Sequence, residues 1–196
     1  MSDPIEIAAV VFGVISVVLF VRQNIWAWPT GVVNVGLYIV VFYRAKLYAD
    51  MGLQVVYVVV SLYGWYQWLH PGAGRRELPV TRVSLREGAL LAAATLATGG
   101  FMAHNLATHT DAALPYWDSA TVAVSLAAQW LLTRKKLENW ILWIVADLVM
   151  IGIYLAKALV LTAGLYVVFT VLAILGLRAW RKSLALPLEA PAAVPS

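Results

Sequence analysis

WPTGVVNVGLYIVVFYRAKLYADMGLQVVYVVVSLYGWYQW, from Trp28 to Trp68, is the stretch that decides the fold. Moved forward by 112 residues, it falls on WILWIVADLVMIGIYLAKALVLTAGLYVVFTVLAILGLRAW, from Trp140 to Trp180. Trp28 meets Trp140, Phe42 meets Tyr154, and Gln54 meets Tyr166. Gly64 meets Gly176, and Trp68 meets Trp180. The match reaches upstream, where Glu6 meets Asp118 and Arg22 meets Arg134. Apolar sequences match easily, but tryptophan and glycine in matched order do not. The chain therefore carries an internal repeat.

Each copy holds more apolar length than a soluble core of this size can absorb. The 196 residues are 62% hydrophobic and 12% charged, with a mean hydropathy of +0.81. Soluble domains are nearer half apolar and a quarter charged. The solvent this surface needs is lipid. A spanning helix takes about 20 apolar residues, and an open sheet cannot cross a bilayer. Spans are expected at about Ile5–Val21, Trp28–Tyr43, Leu47–Leu69, Leu85–Ala103, Trp117–Thr133, Trp140–Ala156 and Val160–Trp180. Pro71–Arg86 and His104–Pro115 read as loops. The Ala- and Pro-rich end, residues 184–196, reads as a disordered cytoplasmic tail. The first apolar run lacks a basic start and a small-residue cleavage site, so it reads as a retained span rather than a signal peptide.

The repeat sharpens this count. It maps spans 1–3 (about 5–69) onto spans 5–7 (about 117–181) and leaves span 4 (about 85–103) as a linker. One extra span puts both halves the same way up. That is a parallel repeat, as in SWEET carriers, in which a substrate path follows the repeat interface near the midplane. The expected fold is an all-α membrane protein of seven helices, 3+1+3, forming one transporter domain.

Basic residues set the orientation. The loops after spans 1, 3 and 5 and the C-terminal end hold Arg22, Arg75, Arg76, Arg82, Arg86, Arg134, Lys135, Lys136, Arg178, Arg181 and Lys182. The other side holds Arg44, Lys46 and Lys157. Eleven against three puts the C-terminus in the cytoplasm and the N-terminus outside. The +4 net charge follows from topology, so nucleic acid is not an expected partner. The nine tryptophans lie mostly near span ends, which suits an interfacial aromatic belt, and Trp68 and Trp180 read that way.

Polar groups inside a membrane are costly and tend to face a cavity. Asn34, Gln54, Gln129 and Asp147 fall well inside spans. Trp140, Trp143 and Asp147 are spaced to share one helical face. A carboxylate beside two indoles suits a flat aromatic cation, which the rings attract through their faces. Gln54 and the equivalent Tyr166 can both hydrogen-bond a ribose or an amide. Asn34 has Tyr38 one turn later. The competing reading for each is a helix–helix hydrogen bond that only holds the bundle. Asp118 and Ser119 open span 5, where they read as N-caps.

Several function classes drop out. No cysteine is present, which removes disulfides and thiolate sites. His70, His104 and His109 make no metal-ligand spacing. Neither GxxxxGK[ST] nor GxGxxG occurs, so the chain cannot power transport by its own ATP hydrolysis. No catalytic triad or carboxylate pair is evident. No cofactor is expected, and an enzyme is disfavoured.

The run Trp28–Trp68 and the run YWDSATVAVSLAAQWLLTRKKLENWILWIVAD, from Tyr116 to Asp147, resemble the two repeats of PnuC-type nicotinamide riboside transporters. WDS, ENWxxW and LYGWYxW are the specific pieces, and the resemblance covers about Ile5–Trp180. It implies a SWEET-like bundle in a bacterial inner membrane, with a homotrimer as the assembly it allows. It implies vitamin uptake for NAD biosynthesis, by facilitated diffusion of nicotinamide riboside trapped by intracellular phosphorylation. The substrate-facing residues it implies are Asn34, Gln54, Trp140, Trp143, Asp147 and Tyr166, extended by Gln129 and Asn139. The chain departs from the family at Asp147, where an amide is more usual. Thiamine, riboflavin or a deoxynucleoside therefore stand as alternative cargoes. A proton-coupled carrier with Asp147 as relay is another alternative, and a membrane enzyme or structural subunit is the third class.

Overall fold

The computed structural model describes residues 4–44, 46, 48–72, 77–110, 114–156 and 159–185. Among these described residues are seven helices: α1 (Pro4–Val21), α2 (Ala27–Arg44), α3 (Tyr48–Leu69), α4 (Leu85–His109), α5 (Pro115–Thr133), α6 (Asn139–Ala156) and α7 (Val160–Ala185). Six of them contain an expected span whole, and α3 covers the expected Leu47–Leu69 from Tyr48 on, Leu47 lying outside the described residues. Among the described residues, four stretches are long and apolar enough to cross a membrane by length and composition: Pro4–Val21, Leu85–His109, Asn139–Ala156 and Thr162–Ala185. Helices α2, α3 and α5 are diluted by polar groups, among them Asn34, Asp50, Gln54, Gln67, Asp118 and Gln129.

The chain forms two compact units. The first comprises Met1–Thr81, Thr133–Lys135 and Arg178–Ser196. Within it, α1 and α2 are joined by side-chain bonds to backbone. Asn34 Nδ2 donates to Ala9 O at 2.6 Å, and Ser16 Oγ donates to Ala27 O at 2.8 Å. Small residues admit both groups: a Cβ on Gly13 would stand 2.9 Å from Asn34 Nδ2, and one on Gly31 would stand 3.0 Å from Ser16 Oγ. The fully buried Trp28 packs on Gly64, tying α2 to α3. Around it, Phe20, Trp28 and Trp68 meet edge to face, with ring centroids 4.8–5.8 Å apart. Trp180 closes this cluster, its Nε1 donating to Phe20 O at 3.0 Å.

The second unit comprises Arg82–Leu132 and Lys136–Leu177. Ser84 caps α4, its hydroxyl accepting from Glu87 N at 3.2 Å. Gly99 on α4 packs against the Ala123 methyl of α5. Trp140 on α6 packs against Gly176 on α7. The segment before α4 is pinned to the turn between α5 and α6. Glu138 accepts from Val83 N at 3.0 Å and pairs with Arg82 at 3.3 Å. Lys136 pairs with Glu87 at 3.0 Å and donates to Arg82 O at 3.2 Å.

The turn after α1 and the turn after α5 are bonded alike at the 112-residue offset. Asn24 N donates to Leu19 O, and Lys136 N to Leu131 O. Ala27 N donates to Asn24 O, and Asn139 N to Lys136 O. Trp28 N donates to Ile25 O, and Trp140 N to Leu137 O. The six-to-one bond marks each as a Schellman helix end. Its left-handed residue is Gln23 in one turn, with φ 55°, and Lys135 in the other, with φ 49°.

Four sequence expectations are corrected. The expected loop at His104–Pro115 is helical as far as His109. Asn105, Thr108 and Thr110 bond back to the carbonyls of Phe101, His104 and Leu106, so polar side chains are satisfied on the helix itself. Leu184 and Ala185, the first two residues of the expected tail, belong to α7, and residues 186–196 lie outside the described residues. Trp68 and Trp180 are buried in the aromatic cluster rather than lying in an interfacial belt, because Phe20 and Trp28 give both rings apolar partners. Asp118 and Ser119 do not cap α5. That helix begins three residues earlier at Pro115, whose missing N–H is no loss in a first turn.

Candidate substrate-binding residues

The α6 helix carries the densest set of candidates. Its buried residues are Asn139, Trp140, Ala146, Asp147 and Ile153, a stripe that recurs every seven positions. Trp143 is half-buried beside this stripe, one helical step from both Trp140 and Asp147. Asp147 is 6% exposed, and an apolar stretch of α6 surrounds it in sequence. A buried carboxylate is costly unless it is paired. Here it stands on a helix face that also presents two indoles.

Asn139 starts α6 and is fully buried. Its Nδ2 donates to Lys136 O at 2.6 Å, while its Oδ1 has no hydrogen-bond partner among the described residues. An orphan acceptor of this kind suits a donor brought by a ligand. Gln129 is buried on α5. On α7, Tyr166 is half-buried and leans on Tyr154, with ring centroids 5.3 Å apart, and meets Phe169 edge-on at 6.1 Å. These contacts hold the phenol in one orientation.

In the first unit, Asn34 and Gln54 are both half-buried. Asn34 spends its amide nitrogen on Ala9 O, so part of its role is to join α1 and α2. Trp140 likewise has a packing role: a Cβ on Gly176 would stand 2.6 Å from its Cε2. That leaves one indole face against α7. An open apolar groove on α4 and α5, lined by Leu91, Thr95, Thr98, Ala123, Leu126 and Trp130, includes none of the eight candidates.

Two residues with unusual surroundings escaped the sequence reading. Lys135 is 2% exposed, and its ammonium sits 4.4 Å from the centre of the Trp68 ring. Burial pushes its pKa below the usual lysine range, while Glu77 pulls the other way. Its Nζ also donates to Gln23 Oε1 at 3.2 Å. In sequence, Lys135 is one of three adjacent basic residues, RKK, and looks like any cytoplasmic loop cation. Only its match with Gln23 at the repeat offset singles it out.

The model of the nicotinamide mononucleotide transporter family matches residues 3–182. The chain belongs to that family. It is therefore a multi-pass membrane transporter and not an enzyme. It is 26% identical to the nicotinamide riboside transporter PnuC of Escherichia coli strain K12, over 91% of this chain and 85% of that one. It is 28% identical to the riboflavin/roseoflavin transporter RibM of Streptomyces davaonensis, over 87% of this chain and 81% of that one. A crystal structure of the vitamin B3 transporter PnuC superposes with a TM-score of 0.73 at 28% identity, covering 92% of this chain and 81% of that one. The family shares its membrane-transport role, and the relatives differ in the vitamin that they carry.

Proposed function

We propose that this family member carries nicotinamide riboside by facilitated diffusion across the bacterial cytoplasmic membrane, and that phosphorylation inside the cell makes uptake one-way. The observation that carries the cargo choice is the buried Asp147, on one face of α6 with Trp140 and Trp143. Nicotinamide riboside presents a flat cationic ring to indoles and carboxylate, and a ribose to amides and phenol. Riboflavin, the cargo of the Streptomyces relative, has no ring cation to match that carboxylate. Asp147 supplies the charge, Trp140 and Trp143 the ring faces, and Asn34, Gln54, Gln129, Asn139 and Tyr166 the polar contacts.

The architecture that goes with this reading is one transporter domain of seven spans. Repeats at about 5–69 and 117–181 run parallel, joined by the linker span at about 85–103, in the manner of a full-length SWEET carrier. The matched turns at Gln23 and Lys135 support the repeat, as do the matched packings of Trp28 on Gly64 and Trp140 on Gly176. The lysine and arginine bias supports an outside N-terminus and a cytoplasmic C-terminus. Lipid is the surrounding partner, and a homotrimer is the assembly that goes with the resemblance.

Calorimetric titration of the purified protein with nicotinamide riboside, thiamine and riboflavin tests the cargo. Micromolar or tighter binding of nicotinamide riboside alone is the expected result. Binding of riboflavin alone would overturn the charge argument. Uptake into proteoliposomes should be saturable and indifferent to an uncoupler, and collapse with the proton gradient would replace facilitated diffusion by proton coupling.

A further inference from the structure

Two contacts join residues that hold the same place in the two copies of the repeat. Lys135 Nζ donates to Gln23 Oε1, residues 112 apart in sequence. The rings of Trp68 and Trp180, with the same separation in sequence, stand 6.1 Å apart. Both contacts lie at the helix ends where α1 and α5 turn back. That is the end rich in arginine and lysine.

The residues there are kept against the interest of stability. Gln23 and Lys135 both lie in the left-handed region, with φ 55° and 49°. Glycine takes that conformation freely, while other residues are strained in it. Lys135 also buries an ammonium, which is costly when its pairing is incomplete. Glycine at both positions would remove both costs. Instead, two long polar side chains occupy the strained positions and reach each other. The Lys135 ammonium is held there by one hydrogen bond to Gln23 and one cation–π contact with Trp68, between groups on turns and helix ends.

We propose that Lys135, Gln23, Trp68 and Trp180 form the closed inner gate of the carrier, and that each transport cycle requires Lys135 to leave the Trp68 ring and the Gln23 amide. The gate rests on the transporter reading of the preceding section. It adds moving parts at the cytoplasmic end that are distinct from the eight cargo-facing residues. Its charge has a consequence as well: while the ammonium holds the Trp68 face, no cationic cargo can use that face.

The chain has no cysteine, so Gln23→Cys with Lys135→Cys introduces its only two thiols. The double variant is purified, reconstituted and joined with a reducible bifunctional thiol reagent. Uptake and binding are measured with nicotinamide riboside, thiamine and riboflavin in parallel, so the gate is judged on whichever vitamin is carried. A different cargo overturns the substrate reading and leaves the gate on trial. The expected result is a fall in uptake of about tenfold or more, binding changed by less than about threefold, and recovery on reduction. Full uptake by the cross-linked protein overturns the gate. Loss of binding together with uptake also overturns it, because a clasp that only holds the fold gives that result. Lys135→Met, which keeps the bulk and drops the charge, is the second variant. It should change the rate of uptake at unchanged binding affinity, and an unchanged rate would count against the gate even if the double variant fails to fold.

Discussion

The indole of Trp140 lies so close to Gly176 that a methyl group there would come within 2.7 Å of three of its ring atoms. Trp28 bears on Gly64 in the same way in the other unit. Neither indole has room to retreat, since Trp28 is fully buried and Trp140 is 3% exposed. Gly176→Ala and Gly64→Ala should each destabilise the protein by about 1–3 kcal/mol through overpacking. Gly100→Ala, where a Cβ meets nothing within 4 Å, should be neutral or slightly stabilising. Thermal unfolding in detergent ranks the three, and equal melting points for Gly64→Ala and Gly100→Ala would refute the close-packing account.

Asp147→Asn keeps the shape of the side chain and removes its charge. Binding of nicotinamide riboside should weaken about tenfold to a hundredfold, the size of a charge-assisted contact. Riboflavin binding, if any is measured, should be unaffected or improved. Calorimetry of the variant against both compounds decides this, and an unchanged affinity for nicotinamide riboside would remove Asp147 from the cargo site.

Lys135 makes stability depend on pH in a defined direction. Burial lowers its folded-state pKa below the 10.5 of a free lysine. Between the lowered value and 10.5, the unfolded chain holds a proton that the folded chain has released, so stability rises with pH across that window. Below it, both states are charged and the cost of burial is constant. Relative to Lys135→Met, the native protein should therefore gain in melting temperature between neutral pH and about pH 10. A difference that stays flat or shrinks would contradict the burial of the ammonium.

Glu138 acts more through its backbone contact than through its ion pair. Arg82 is mostly exposed, and a screened pair of this kind contributes about 0–1 kcal/mol. Its Oε2 also accepts from Val83 N. Glu138→Gln, which keeps an acceptor, should be nearly neutral. Glu138→Ala should cost about 1 kcal/mol by orphaning that N–H. Chemical unfolding of the two variants checks the order, and a reversal would favour the ion pair.

The helices were legible because apolar length is a strong signal, and the basic residues between them sharpen its edges. The end of α4 was not legible, because His104–Thr110 is polar enough to resemble a loop and its helical state depends on bonds back to preceding carbonyls. The aromatic cluster was hidden for a related reason. Tryptophan near a helix end means either membrane interface or core, and only the three-dimensional meeting of Phe20, Trp28, Trp68 and Trp180 decides between them. Trp140, Trp143 and Asp147 were legible as one face because helical spacing alone aligns them. The second role of Asn34, as a link to Ala9, was stated in sequence only as one of two options.

The Lys135–Gln23 contact carries a lesson about ancestry. A homodimer of half-length chains must present the same residue from both sides of its axis. Two lysines there would set ammonium against ammonium, and two glutamines would leave the indole without a cation. A chain in which both copies are covalently fused escapes that constraint, because each copy can drift separately. Setting an amide opposite an ammonium is thus an asymmetry that a homodimer of half-length chains could not show.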